Sequence, residues 1–318
     1  MRAEIVDIAD NQEWFHVLRC DHVNAVAFSP DGKIVASGQD NGGMVTLWDT
    51  MTGREIRGIQ GHEGAIMAIA FNPEGTVLAS GGDDRTIRLW DVATGIPQQT
   101  LTGHEDYVSS IAFHPTGLIA SGSGDKTIKV WGGLLYPRRR LYRLLMTLVG
   151  HADEVTSVAF SPDSARLASG SRDTTVRLWG WYGAIKNERT LRGHVGAVLS
   201  VSYSPDGQIV ASSSADETIK LWSVEATRDE HDPRTLSRYI DSVRSVAFHP
   251  NGQIIAAANF RDDYPVTLWD VRTGRELRSL TGNSDEAASV AFSPDGRVVA
   301  CGAGGRFGGS IELLRVEE

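Results

Sequence analysis

Serine, histidine and aspartate recur together four times along this chain of 318 residues, and these are the side chains of a nucleophilic triad. The sets are His62, Ser80 and Asp84; His104, Ser121 and Asp125; His151, Ser169 and Asp173; and His194, Ser212 and Asp216. Hydrolysis by such a trio needs one activated hydroxyl in a cleft with oxyanion donors. Four evenly spaced copies fit a different task, the fastening of strand to loop in a repeated unit. Other chemistry is weaker still. Asp262 and Asp263 are adjacent, so an extended backbone points them to opposite faces, a poor arrangement for an acid-base pair. Cys20 and Cys301, the two cysteines, lack the clustering of a zinc site and read as small buried apolar residues. The chain is therefore read as a non-enzyme with no catalytic residue, no metal site and no cofactor.

The elements that position these residues repeat seven times. An apolar strand runs into a Pro-Asp-Gly type turn, centred at Phe28, Phe71, Phe113, Phe160, Tyr203, Phe248 and Phe292, at spacings of 43, 42, 47, 43, 45 and 44 residues. Proline pre-sets the turn and glycine takes the positive φ, so each head is a strand followed by a hairpin. A small apolar strand follows, as in Val77 to Gly81. A third carries Leu-Trp-Asp or a near relative, at Leu47, Leu89, Val130, Leu178, Leu221 and Leu268. A fourth stretch, such as Arg54 to Ile59, leads to a Gly-His pair and the next repeat. Four short strands cannot bury both faces of their own sheet, so neighbouring sheets must stack, and a ring satisfies every one of them.

The expected fold is all-β: one closed seven-bladed propeller over residues 1–318, with four antiparallel strands per blade. The last blade ends after its third strand, near Ile311 to Val316, and a spare strand, Glu13 to Arg19, precedes the first head. Their pairing would close the ring and remove an exposed edge.

The Gly-His pairs, the Trp-Asp pairs and the turn aspartates together resemble the WD-repeat family over nearly the whole chain. That resemblance implies a hydrogen-bonded tetrad in each regular blade: His62, Ser80, Asp84 and Trp90; His104, Ser121, Asp125 and Trp131; His151, Ser169, Asp173 and Trp179; and His194, Ser212, Asp216 and Trp222. Three blades depart from it. The sixth has Tyr239 and Ala257 at the His and Ser positions, the seventh has Asn283, Cys301 and Leu314, and the first lacks the Gly-His pair. These blades are adjacent on a closed ring. They also have the longer segments between second and third strands: Gln39 to Met44, Asn259 to Pro265, and the glycine-rich Gly302 to Ser310 with Arg306 and Phe307. Two explanations stand: a surface released from structural duty, and relaxed sequence beside the closure.

The resemblance also implies partner binding at the top mouth of the central channel. It places there the second residue of each head strand: Asn24, Met67, Ser109, Thr156, Leu199, Arg244 and Ala288, with Tyr107, Glu154 and Arg172 beside them. Met67, Tyr107, Leu199 and the arginines are side chains of the kind that anchor interfaces. A further irregularity, Gly132 to Val149, joins Arg138, Arg139, Arg140 and Arg143 to flanking leucines. It reads as a longer outer strand with a solvated basic loop, or as a surface for an acidic partner or a membrane.

Forty acidic against 31 basic side chains give a net charge of −9, which disfavours nucleic acid. No apolar run approaches the length of a membrane span, and Met1 to Asp7 lacks a signal-peptide core. A cytoplasmic protein, monomeric on its own, is the expectation. Its expected function is a scaffold for protein or peptide partners. The alternatives are a propeller that binds a small ligand or carbohydrate, and an interaction or sensor domain cut from a larger signalling protein.

Overall fold

The head turns show how the residues dictate the strands. In the first repeat Ser29 Oγ donates to Asp31 Oδ1 (2.7 Å) and accepts from the Ile34 N–H (3.0 Å), while Asp31 also takes the Lys33 N–H. Gly32 sits at φ 71°, and its N–H closes the turn on the Ser29 carbonyl. Proline does a second job at these turns. A Cβ on Gly75 would lie 3.3 Å from Pro30 of the preceding repeat, so consecutive turns nest.

A computed structural model describes residues 14–40, 42–133, 135–136, 139–180, 186–225, 233–237, 241–259, 266–280, 286–304 and 309–316. Among them every regular element is a strand, and no helix is long and apolar enough to cross a membrane. Seven four-stranded antiparallel sheets form the blades. The first contains, from the channel outward, Val23–Phe28, Ile34–Gln39, Met44–Asp49 and Glu55–Gln60. The second to sixth blades repeat this order, with inner strands Ile66–Phe71, Val108–Phe113, Val155–Phe160, Val198–Tyr203 and Val243–Phe248. Among the described residues only the third carries an addition, a short antiparallel pair of Leu135–Tyr136 with Arg139–Arg140 ahead of its outer strand, Arg143–Val149.

The seventh blade is assembled from both ends of the chain. Glu286–Phe292, Val298–Gly304 and Gly309–Arg315 supply three strands, and Trp14–Cys20 supplies the outermost. The closing register runs from Trp14 opposite Leu314 to Cys20 opposite Gly309. The N-terminal strand thus fastens the ring at the place its sequence indicated. One boundary differs from the sequence reading. Gly302 to Gly304 and Gly309 to Ser310 belong to strands, so residues 305–308 alone link them.

The core lies between blades. Seven buried clusters each join two neighbours, as where Ala36, Val45, Leu47 and Ile59 of the first blade meet Ile66, Leu78 and Trp90 of the second. Close approach at this contact requires Gly38, whose Cβ would stand 2.6 Å from Ile66. The cluster at the closure needs the N-terminal strand, because Leu18, 2 % exposed, packs there with Val23, Trp48 and Ile311.

Removing residues 1–19 would expose this cluster and leave Gly309–Arg315 as an open edge. Burial of Val17 and Leu18 stabilises by about 3–6 kcal/mol together, so the deletion should lower the thermal midpoint by at least ~6 °C. Differential scanning calorimetry would check it, and an unchanged midpoint would remove the closure from the account.

Candidate functional site

The four Ser-His-Asp sets sit where the loop before each inner strand crosses the turn between second and third strands. In the third blade His104 Nδ1 bonds Asp125 Oδ2 (2.7 Å), His104 Nε2 bonds Ser121 Oγ (2.7 Å), and Trp131 Nε1 donates to the same Oγ (2.9 Å). The second, fourth and fifth blades repeat the arrangement. His62 reaches Ser80 and Asp84 with Trp90; His151 reaches Ser169 and Asp173 with Trp179; His194 reaches Ser212 and Asp216 with Trp222, all at 2.7–3.0 Å. Each aspartate also accepts from the threonine two residues on and from a loop N–H, as Asp125 does from Thr127 Oγ1 (2.6 Å) and Glu105 N (3.1 Å). These bonds hold a turn in which Arg85, Lys126, Thr174 and Glu217 take φ of 63–70°, a conformation costly for side chains other than glycine.

The connectivity Ser to His to Asp is that of a nucleophilic triad, and burial decides against that use. Ser80, Ser121, Ser169 and Ser212 are 0 % exposed. With Nδ1–H turned to the carboxylate, Nε2 accepts the serine proton, and the indole N–H fills the serine oxygen from the other side. Every donor has an acceptor, and no room remains for a substrate. The four sets act as joints.

Burial pushes the imidazoles of His62, His104 and His194 below the ordinary histidine value, against the opposing pull of their aspartates. Burial would raise the aspartates, but bonds from Thr, His and loop N–H groups outweigh it. They hold Asp125 and Asp216 at about 2, and Asp84 and Asp173 below the usual range. Both shifts are depressions, so the unfolded chain binds more protons than the folded one below the unfolded histidine value of about 6.5.

The blades without the full tetrad use other buried polar pairs. Trp48 Nε1 still donates to Ser37 Oγ (3.0 Å) in the first, where Gln39 Nε2 donates to Thr46 Oγ1 (3.1 Å). In the sixth, Asn259 Nδ2 donates to Thr267 Oγ1 (3.0 Å). In the seventh, Glu312 is 0 % exposed and stands opposite Cys301. Burial first, and then the Glu312 charge, push the Cys301 thiol well up, which suits an inert apolar filler. Arg306, Phe307, Tyr239 and Asn283 lie outside the described residues.

The channel mouth is built by a bulge that recurs in every blade. The register between inner and second strands slips by one residue at Asn24, Met67, Ser109, Thr156, Leu199, Arg244 and Ala288. A bulged residue is left out of the ladder and its side chain is re-aimed. The residue after it joins blades: the hydroxyls of Ser110, Ser157, Ser200, Ser245 and Ser289 accept the N–H of Val158, Val201, Val246, Val290 and Val26 at 3.0–3.3 Å. Three bulged side chains also bind the next blade's carbonyl: Asn24 to Ile66 (3.2 Å), Thr156 to Val198 (2.7 Å), and Ser109 to Val155. Met67 and Leu199 have no donor for that duty and remain half-exposed, and Arg244 is exposed.

Beside the mouth, Tyr107, Glu154 and Arg172 come together across the third and fourth blades. The Tyr107 hydroxyl donates to Glu154 Oε2 (2.6 Å), and Arg172 Nε pairs with the same oxygen (2.6 Å). Burial and the adjacent carboxylate push Tyr107 up to about 12. Arg172 is thereby held at the rim with its side chain 55 % exposed. Among the described residues no group of three or more His, Cys, Asp or Glu side chains is placed to hold a metal ion.

Two outcomes follow from the joints. His104→Ala removes the imidazole that bridges Ser121 and Asp125, leaving the serine proton and one carboxylate oxygen each short of a bond, and should cost roughly 1–3 kcal/mol in urea unfolding. Stability of the unaltered chain should fall from about pH 6.5 toward pH 2, first with the histidines and then with the aspartates. A series of unfolding curves across that range would check it, and a flat profile would mean that the tetrads do not fasten the fold.

Comparison with known proteins agrees with this geometry. The family described as WD domain, G-beta repeat matches residues 15–49, 53–91, 95–132, 142–180, 185–223, 233–270 and 274–307. Each of the first six matches runs from the outer strand of one blade to the third strand of the next, and the seventh stops just short of Gly309–Arg315, so the sequence repeat straddles two blades. A 40-residue segment is 52 % identical to an uncharacterized WD repeat-containing protein of Nostoc sp.; it is 13 % of this chain and 3 % of that relative. With seven matches over most of its length and a seven-bladed ring to carry them, the chain belongs to the WD40 family of β-propellers.

Proposed function

We propose that this propeller is a non-catalytic scaffold that holds a protein or peptide at the top mouth of its channel. WD40 propellers generally serve as protein-interaction scaffolds, and the arrangement of the bulged residues supports this site. Where the side chain can bond a neighbouring carbonyl, at Asn24, Ser109 and Thr156, it joins blades. Met67 and Leu199 interrupt that series with flexible apolar groups at the rim, and Arg244 and Arg172 add exposed cations. Apolar anchors flanked by fixed charge suit a peptide better than a small sugar, whose binding favours stacked aromatic rings. Tyr107, the aromatic side chain in the set, is bonded to Glu154 and turned to positioning Arg172.

The proposal includes the whole chain acting as one unit in the cytoplasm, with the rim of the second to sixth blades as the contact surface. Its test is affinity capture with immobilised chain, comparing the unaltered protein with Met67→Glu/Leu199→Glu and with Arg172→Glu. Both variants alter exposed or half-exposed side chains and should keep the melting temperature within a few degrees. A protein retained by the unaltered chain and lost by the rim variants supports the site. Retention of the same proteins by all three places the contact elsewhere, and a thermal-shift screen of small ligands would then decide between the remaining classes.

A further inference from the structure

The outer strand of the third blade differs from the other rims. Those of the first, second, fourth, fifth and sixth blades read EIRGIQ, PQQTL, KNERTL, RTLS and ELRSL, each with charged or amide side chains, or a lone arginine, on the edge. The third reads RLLMTLV. Leu144, Leu145, Met146 and Val149 are exposed to 42, 44, 37 and 75 %. With Leu141 they make five of the ten exposed large hydrophobic side chains among the described residues, gathered within nine positions. Its inner edge pairs with Thr127–Gly132, and no described strand pairs with its outer edge. An open edge with six uncharged residues, Leu144 to Val149, running on from the single Arg143 is a template for another strand.

This edge is held in place. Gln99 of the second blade accepts the Tyr142 N–H (2.9 Å) and donates to the Tyr142 carbonyl (2.6 Å), and the Tyr142 ring is buried between the two blades. Arg143 opens the strand, and the sequence before it carries Arg138, Arg139 and Arg140. A fitting strand would combine β-branched side chains with carboxylates.

Residues 3–10 of this chain, AEIVDIAD, have that composition: Ile5, Val6 and Ile8 favour extended backbone, and Glu4, Asp7 and Asp10 complement the arginines. They precede Trp14–Cys20, at the rim of the seventh blade. Residues 11–13 stretch no more than ~11 Å, whereas the third blade lies three blade interfaces away at ~10 Å each. The segment cannot reach its own third blade and must come from another molecule.

We propose that the outer edge of the third blade binds residues 3–10 of a second copy of this chain as an added strand. The contact is head to tail, so it builds rings or filaments instead of a closed two-fold dimer. It departs from the expectation of a monomer and stands independently of the channel mouth. Sedimentation velocity of the full chain over about a hundredfold range of concentration tests it. The mean mass should rise with concentration. It should stay at one chain in a variant lacking residues 1–10, which keeps the closing strand, and in Leu144→Lys/Val149→Lys. A peptide of residues 1–12 should bind the shortened chain and not its Leu144→Lys/Val149→Lys form. The truncation leaves the edge strand untouched, so it reports even if the lysine variant fails to fold. A single-chain mass at every concentration with no peptide binding overturns the proposal, as does association that persists after residues 1–10 are removed.

Discussion

No sheet in this ring can bury its own faces. Each blade hides its apolar side chains only against the next, through seven clusters that each draw on two blades. A linear stack would leave two apolar ends, and closure abolishes both, but only if the last blade is complete. The outer strand it lacks is Trp14–Cys20, so two segments almost three hundred residues apart in sequence depend on one another. Leu18 shows the coupling most directly: it lies on the closing strand yet packs against Val23 and Trp48 of the first blade.

Fastening within a blade and joining between blades use different chemistry. The tetrads tie loop, turn and third strand together inside the second to fifth blades, while serine hydroxyls beside the channel bond the neighbouring strand's N–H. Where the serine is replaced by alanine, as at Ala25 and Ala68, that contact is left to apolar packing alone. The bulge one residue earlier serves joint and surface at once. Asn24, Ser109 and Thr156 there are engaged by the next blade's carbonyl, while Met67 and Leu199 stay half-exposed and Arg244 exposed.

Much of this was legible. Repeats of similar length with a missing strand at one end and a spare at the other leave little choice of fold, and the spacing of His, Ser, Asp and Trp marks the joints. The bulges were hidden because Asn24, Met67, Ser109, Thr156, Leu199, Arg244 and Ala288 share no residue type; only position unites them. Gln39 and Asn259 looked like loop residues, yet they end strands and bond Thr46 and Thr267. The glycines from 302 onward misled for a physical reason. Glycine often signals a loop, but here a Cβ on Gly302 would strike Val23 and one on Gly304 would strike His22, so these positions mark close contact with the first blade. Glu312 gave a signal of its own, a single carboxylate inside the apolar run Ile311 to Leu314.

The same three side chains that elsewhere cleave bonds here prevent motion, and the difference is access. In both settings serine donates to histidine and histidine to aspartate, and the carboxylate fixes the tautomer. A hydrolase leaves the serine oxygen open to substrate and keeps donors ready for the charge that develops. Here the indole N–H occupies that oxygen, the aspartate's remaining capacity goes to threonine and loop N–H groups, and the hydroxyl is sealed between strands. A set satisfied this completely has no proton to lend and no site to lend it to. The side chains that the joints leave over include the half-exposed Met67 and Leu199 at the bulges and the exposed leucines of Arg143–Val149.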